Sequence, residues 1–261
     1  MPEYLEPQYT NLYCEISEDS LTYFFQNAQD MQITGLSLYE LPDRFSNADY
    51  NVKDILDEKQ ILRKSYNKVN ISYSFNEFTL IPYSMYSEDE KSVIMETMFR
   101  PGTEKMILSD NLANLEIHNY YSVPLYIHYY VISHFPLAKF SHEVSNLIRN
   151  YKDQGTILSV IFHQRKMIYT LWKENNLQLS SSVFFISSED VIYQLLNICK
   201  QFGLDNRVHL SVTGMMDADS ALAKELRMYF SNISYTAHSS KLADNLQHFP
   251  EHYFSHLFSL T

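Results

Sequence analysis

Three alternating runs in succession constrain this chain most: TILSVIF (156–162), KMIYTLW (166–172) and LQLSSSVFF (177–185), each apolar-rich and separated from the next by a short polar break. Alternation with period two over strand length, with breaks too short for a crossover helix, predicts an antiparallel three-strand meander. The period then changes. SSEDVIYQLLNICKQFG (187–203) places acidic residues in a first turn, Val191, Leu195 and Ile198 on one apolar face, and Gly203 at the stop, which reads as a helix. The strand RVHLSVT, then Gly214, a helix from about Ala218 to Phe230 and a last strand ISYTA complete the series.

The first part of the chain carries the same grammar. Strands are expected at Leu12–Ile16, Leu21–Gln26 and Gln32–Leu41, joined by the polar turns SEDS and NAQD. A helix is expected over Val52–Tyr66, with Ile55, Leu56, Lys59, Leu62 and Tyr66 near one face, followed by strands at Val69–Tyr73 and Phe78–Pro82. SEDEKSVIMETMF sets Ser87 and Glu90 at capping-box spacing, and RPGT stops that helix. The stretch Ile117–Ala138 has no Asp, Glu, Lys or Arg, yet its histidines, tyrosines and two prolines do not suit hydrocarbon. It reads as a strand end and a buried helix from Pro124 to just before Pro136. Ser141 is then placed to cap a helix over HEVSNLIRNY.

Strand, strand, strand, helix, strand, helix, strand is the order of a ribonuclease H-like unit. Two such halves predict a duplicated α/β architecture with the halves meeting near residues 136–142, so that 1–137 forms one half and 138–240 the other. The runs FTLIPYSMYSEDE, YSVP, FPLAKFSH, FISSEDVIYQLLNICKQFGL, HLSVTG and FPEHYFSHLFSL resemble an uncharacterised bacterial family found mostly in Bacteroidetes. That resemblance implies an actin-like ATPase fold of two ribonuclease H-like halves and carries no established activity. It also implies that residues 241–261, with a helix over Pro250–Leu260, return to the N-terminal half.

Active proteins of that fold hold phosphates in the hairpin turns of both meanders, using glycine for close approach and carboxylates for magnesium. This chain has only five glycines, and none lies in a meander's first turn. The first turn, EISEDSLTY, offers Glu15, Glu18 and Asp19; the second, IFHQRKMIY, has His163, Gln164, Arg165 and Lys166 where an acid and a glycine are expected. His163, Arg165 and Lys166 read as a soluble hairpin tip or as a contact for an anion or an acidic partner. Gly214, Met215 and Asp217 are what remains of the adenosine-side corner, with Asp217 or Asp219 as helix N-cap and the methionines filling the crevice. His252 and His256 have helical i,i+4 spacing but lack a third ligand and a metalloprotease glutamate, so no metal site is expected there.

The net charge of −11 makes a broad phosphate-facing surface hard to build, and nucleic acid is not expected as a partner. Cys14 and Cys199 show no metal-ligand spacing and fit a reducing compartment, and the start MPEYLEPQY lacks signal-peptide regions, so the cytoplasm is the expected location. No Walker loop, Gly-x-Ser-x-Gly elbow, Cys-x-x-Cys pair or dinucleotide fingerprint is present. The expectation is a non-catalytic actin-like protein that needs no cofactor, leaves nucleotide unbound and works through a protein partner. The alternative is a divergent ATP-dependent kinase or ATPase.

Overall fold

The computed structural model describes residues 9–41, 52–59, 61, 65–100, 102, 104–152, 155–258 and 260–261. The chain divides into an N-terminal unit, Met1–Arg149 with Ser240–Gln247 and Leu260–Thr261, and a C-terminal unit, Asn150–Ser239 with His248–Ser259. The boundary follows Arg149, later than the sequence places it. The reason is local: Lys139–His142 is a strand that pairs in parallel with the N-terminal sheet, so Ser141 lies inside a strand and caps no helix.

In the N-terminal unit, β1 (Thr10–Ser17), β2 (Ser20–Asn27) and β3 (Ile33–Glu40) form the expected meander. With β4 (Lys68–Ser74) and β8 (Lys139–His142) they make a five-stranded sheet in the order β3-β2-β1-β4-β8. Every residue of β1 is buried, as a central strand covered on both faces requires. The first helix, α1, is shorter than expected, Val52–Glu58; Leu62 lies outside the described residues, and Tyr66 lies past the helix end, its hydroxyl donating to the Ile61 carbonyl at 3.0 Å. The outer edge of β3 meets the chain's last part, where Ile33 N–H donates to Lys241 O at 2.8 Å and Ala243 N–H to Ile33 O at 2.9 Å.

The unit also carries a three-stranded antiparallel sheet, β5-β7-β6, from β5 (Phe78–Pro82), β6 (Lys105–Leu112) and β7 (Ile117–Pro124). Helix α2 (Lys91–Phe99) packs on it through Met95 against Ile81 and Tyr120. Ser87 Oγ accepts the Glu90 N–H at 3.2 Å, but the expected capping box does not form: the N-cap is Glu90, and the Ser87 N–H donates to the Tyr120 hydroxyl at 3.3 Å instead; β6 has no counterpart in the sequence reading. Its polar, non-alternating run KMILSDNL hides it. Helix α3 (Leu125–His134) begins after Pro124, as the sequence predicts, but it is not the buried helix expected: Ile127, His128 and Val131 are buried while Tyr126, Tyr129 and Ile132 are exposed; α4 (Glu143–Arg149) follows β8.

A buried polar network ties the inserted sheet to β8 and α4. Asp110 on β6 accepts the His142 N–H at 2.7 Å and the Tyr121 hydroxyl at 3.3 Å. His142 Nε2 faces the Phe75 carbonyl at 2.9 Å while Nδ1 accepts the Val144 N–H at 3.2 Å, which fixes the neutral Nε2–H tautomer. Burial pushes the Asp110 carboxyl above the ordinary aspartate range, partly offset by the His142 amide bond. A carboxyl whose pKa is raised on folding contributes its stability fully below the unfolded value, about 3.9, and loses it as pH rises through the folded value. Urea midpoints of wild type and Asp110→Asn measured across this window should therefore converge or cross in the variant's favour as pH rises from about 4. A difference independent of pH would remove Asp110 as the titrating group.

The C-terminal unit repeats the first sheet. β9 (Ile157–Phe162), β10 (Lys166–Lys173), β11 (Asn176–Phe184), β12 (His209–Gly214) and β13 (Ile233–Tyr235) are ordered β11-β10-β9-β12-β13. The duplication is thus an identity of strand order, with three antiparallel strands followed by two parallel ones on the first strand's side. Helix α5 (Ser188–Gln201) opens on a capping box between Ser187 and Asp190 and buries Val191, Leu195 and Ile198. Helix α6 (Ala221–Tyr229) buries Ala223 and Leu226 in the same core.

Candidate functional site

In the N-terminal unit the first hairpin turn is filled by its own side chains. Ser17 Oγ accepts the N–H groups of Asp19 at 3.2 Å and Ser20 at 2.9 Å, and it lies 2.8 Å from Asp19 Oδ1 as a donor. Glu18 Oε1 accepts the Asn76 N–H at 2.6 Å, and Asp19 O accepts the Leu41 N–H at 2.7 Å. Two of the amides that a phosphate would need are thereby occupied, and two of the three expected carboxylates hold protein groups. The third, Glu15, is buried, with a carboxylate oxygen within 4.8 Å of one on Glu143, which accepts a hydrogen bond from the Ser74 hydroxyl.

In the C-terminal unit the β9–β10 turn is equally closed. The His163 N–H donates to Lys166 O at 2.8 Å, and the Arg165 carbonyl accepts the Phe185 N–H at 3.0 Å. The soluble tip expected of this turn is confined to Gln164 and Arg165, which are exposed. His163 and Lys166 are instead buried, at 5% and 1% exposure, because residues facing each other across a two-residue turn belong to the strand ends. Arg165 alone among the three candidates meets solvent.

The Gly214 corner lies beside that turn, since Gly214 is the parallel partner of Phe162, the residue before His163. Gly214 has φ +87°, and a Cβ there would stand 2.2 Å from the Phe162 carbonyl oxygen. The glycine is required by the close approach of β12 to β9, so its presence needs no ligand to explain it. Met215 N–H donates to Phe162 O at 2.7 Å, and Met216 is buried. The helix N-cap is Ser220, whose Oγ accepts the Ala223 N–H at 3.1 Å; neither Asp217 nor Asp219 caps it, because α6 begins three residues later than expected.

The chain's own C-terminal segment occupies this corner. Gly214 N–H donates to His252 O at 2.9 Å, and His252 Nε2 donates back to Met216 O at 2.9 Å. The Tyr253 hydroxyl is hydrogen-bonded to the Asp217 carboxylate, and the His252 ring packs 4.8 Å from that of Tyr235. Burial, first, and then the Asp217 bond push the Tyr253 phenol up to about 12, so it remains a donor throughout the physiological range. Phe254, Leu257 and Phe258 are buried. The segment's helix, α7, is only Ser255–Phe258, shorter than the expected Pro250–Leu260, and residues 248–259 group with the C-terminal unit. The sequence reading sent them to the N-terminal half; the two reciprocal bonds between His252 and the corner decide otherwise.

Sequence reasoning thus found Gly214, Met215 and Asp217, which the structure brings together, but missed His252 and Tyr253 as their partners. Pro250 and the density of aromatic residues around it were the available signal.

With strand order and site in view, residues 3–233 match the family described as "Protein of unknown function (DUF3822)". The chain belongs to that family. This DUF3822 chain is similar over 100% of its length, and 98% of the other's, to a Bacteroides thetaiotaomicron protein of unknown function with actin-like ATPase fold, at 18% identity and TM-score 0.80. It is similar to a chain of the PilM-PilN type IV pilus biogenesis complex at 11% identity and TM-score 0.62, covering 96% of this chain and 97% of that one. The cytoplasmic domain of EpsL, an inner membrane component of the type II secretion system of Vibrio cholerae, follows at 8% identity and TM-score 0.50, with 96% and 93% covered. No curated protein matches this DUF3822 chain in sequence. It has the actin-like ATPase fold that the sequence resemblance implies. Among the described residues no helix is long and apolar enough to cross a membrane.

Proposed function

We propose that this protein is a non-catalytic member of the actin-like superfamily that acts through contacts with another protein. One observation carries the reading: the corner where an adenosine would lie is filled by His252 and Tyr253 of the same chain. The closed turns point the same way, because Ser17 and Glu18 take up in the first hairpin the groups that would meet phosphate and magnesium. A partner protein is the use this reading assigns to the fold, and a similar fold occurs in a type IV pilus biogenesis complex. The net charge of −11 favours a protein over nucleic acid, and buried, unpaired Cys14 and Cys199 suit a reducing cytoplasm.

Calorimetry with magnesium-ATP should give no binding heat, and a phosphate-release assay should stay at background. Micromolar binding accompanied by phosphate release, lost in Glu15→Gln or Asp19→Asn, would overturn the reading in favour of a divergent ATPase or kinase.

A further inference from the structure

Residues 117–138 contain no Asp, Glu, Lys or Arg, and part of this run lies in water. Within it α3 turns Ile127, His128 and Val131 inward, while Tyr126 is 61% exposed, Tyr129 57% and Ile132 36%. A spacing of three residues keeps these side chains on one outward face of the helix. Leu137, in the turn that follows, is 94% exposed. At about 150–250 Å² for a whole large side chain, the four leave about 400–600 Å² of largely apolar surface, as much as the largest patch of an ordinary monomer. Interface cores are rich in tyrosine and poor in charge, and this face has both properties.

We propose that the exposed face of α3 joins two copies of this chain into a two-fold dimer. The spacing is self-complementary, since Tyr126 and Ile132 stand three residues on either side of Tyr129. A two-fold axis at Tyr129 sets Tyr126 of each copy against Ile132 of the other, with the two Tyr129 rings meeting at the centre. Charge selects the same face. Two chains of net charge −11 repel where acidic surfaces meet, and α3 has no Asp, Glu, Lys or Arg to set against its counterpart. Charges of α1 are held on the neighbouring Tyr130, whose hydroxyl donates to Asp57 at 2.5 Å and whose ring centre lies 5.7 Å from Lys53 Nζ.

Two such faces bury about 800–1,200 Å² together, the low end for a specific interface. The dimer is therefore a weak one, with Kd in the micromolar range.

Sedimentation velocity of the full chain from about 1 to 200 µM, a range that brackets a micromolar Kd, should show a monomer–dimer equilibrium. Tyr129→Glu sets two carboxylates on the axis and should weaken association at least about tenfold. Tyr193→Glu, at a more exposed tyrosine on α5 of the C-terminal unit, should not change it. Tyr126→Lys and Ile132→Glu should each be monomeric over this range, and their equimolar mixture should regain the dimer, because opposite charges then meet at one of the two equivalent contacts. Circular dichroism and melting of each variant check that it folds. A dimer lost in Tyr129→Glu and regained in the mixture supports the interface. A wild type that stays monomeric throughout, which would leave the face to a different protein, overturns it. So does a dimer that Tyr129→Glu leaves intact, or a mixture that stays monomeric.

Discussion

Gly214→Ala is expected to destabilise the protein by about 2–5 kcal/mol, from about 1–2 kcal/mol for a left-handed alanine and about 1–3 kcal/mol for overpacking. The added methyl would stand 2.2 Å from the Phe162 carbonyl oxygen and 2.7 Å from its nitrogen, both backbone atoms that cannot rotate away. Gly155→Ala is the control, since Gly155 has φ +76° but nothing within 4 Å of an added Cβ. It should lose only the conformational part, about 1–2 kcal/mol. Urea unfolding of the two variants reads the difference. Equal losses would mean that β9 and β12 can part at no cost, and that the glycine serves something other than their close approach.

Deleting residues 248–261 should lower the melting temperature by about 10 °C or more. Phe254, Leu257 and Phe258 are buried, and each contributes about 1.5–3 kcal/mol by leaving water. A domain of this size shifts by about 2–4 °C per kcal/mol. The truncated protein should also bind a hydrophobic dye, because the corner at Gly214–Asp217 and Tyr235 loses the His252 and Tyr253 rings packed there. If it melts unchanged and remains monomeric, the segment is a free peptide for a partner, and the interaction surface moves there.

The two meanders and α5 were legible because alternation and capping are local properties, written at Ser187 and Asp190 or in the runs at 156–185. β6 was not, since its run KMILSDNL shows no alternation and is held in place by pairing with β7 along its whole length. β8 was misread for a related reason. Four residues, KFSH, are too few to show a period, and only pairing with β4 makes them a strand. At the corner, Gly214 could be seen in the sequence, but its occupants could not, because the bond from Gly214 to His252 joins residues far apart in the chain. Long-range partners of single residues leave no periodic trace.

The edge of β3 is completed by residues 241–243, with Gln32 reaching the Leu242 carbonyl across a sequence separation of 210 residues. A ribosome adding 5–20 residues per second needs about 10–40 s to make that span. Throughout this interval the meander has emerged while its covering strip has not, and the exposed edge is open to pairing with a neighbouring nascent chain. Residues 241–243 therefore act as a clasp on the edge of β3, and translation rate and chaperone supply, rather than final stability, should govern the yield of native protein.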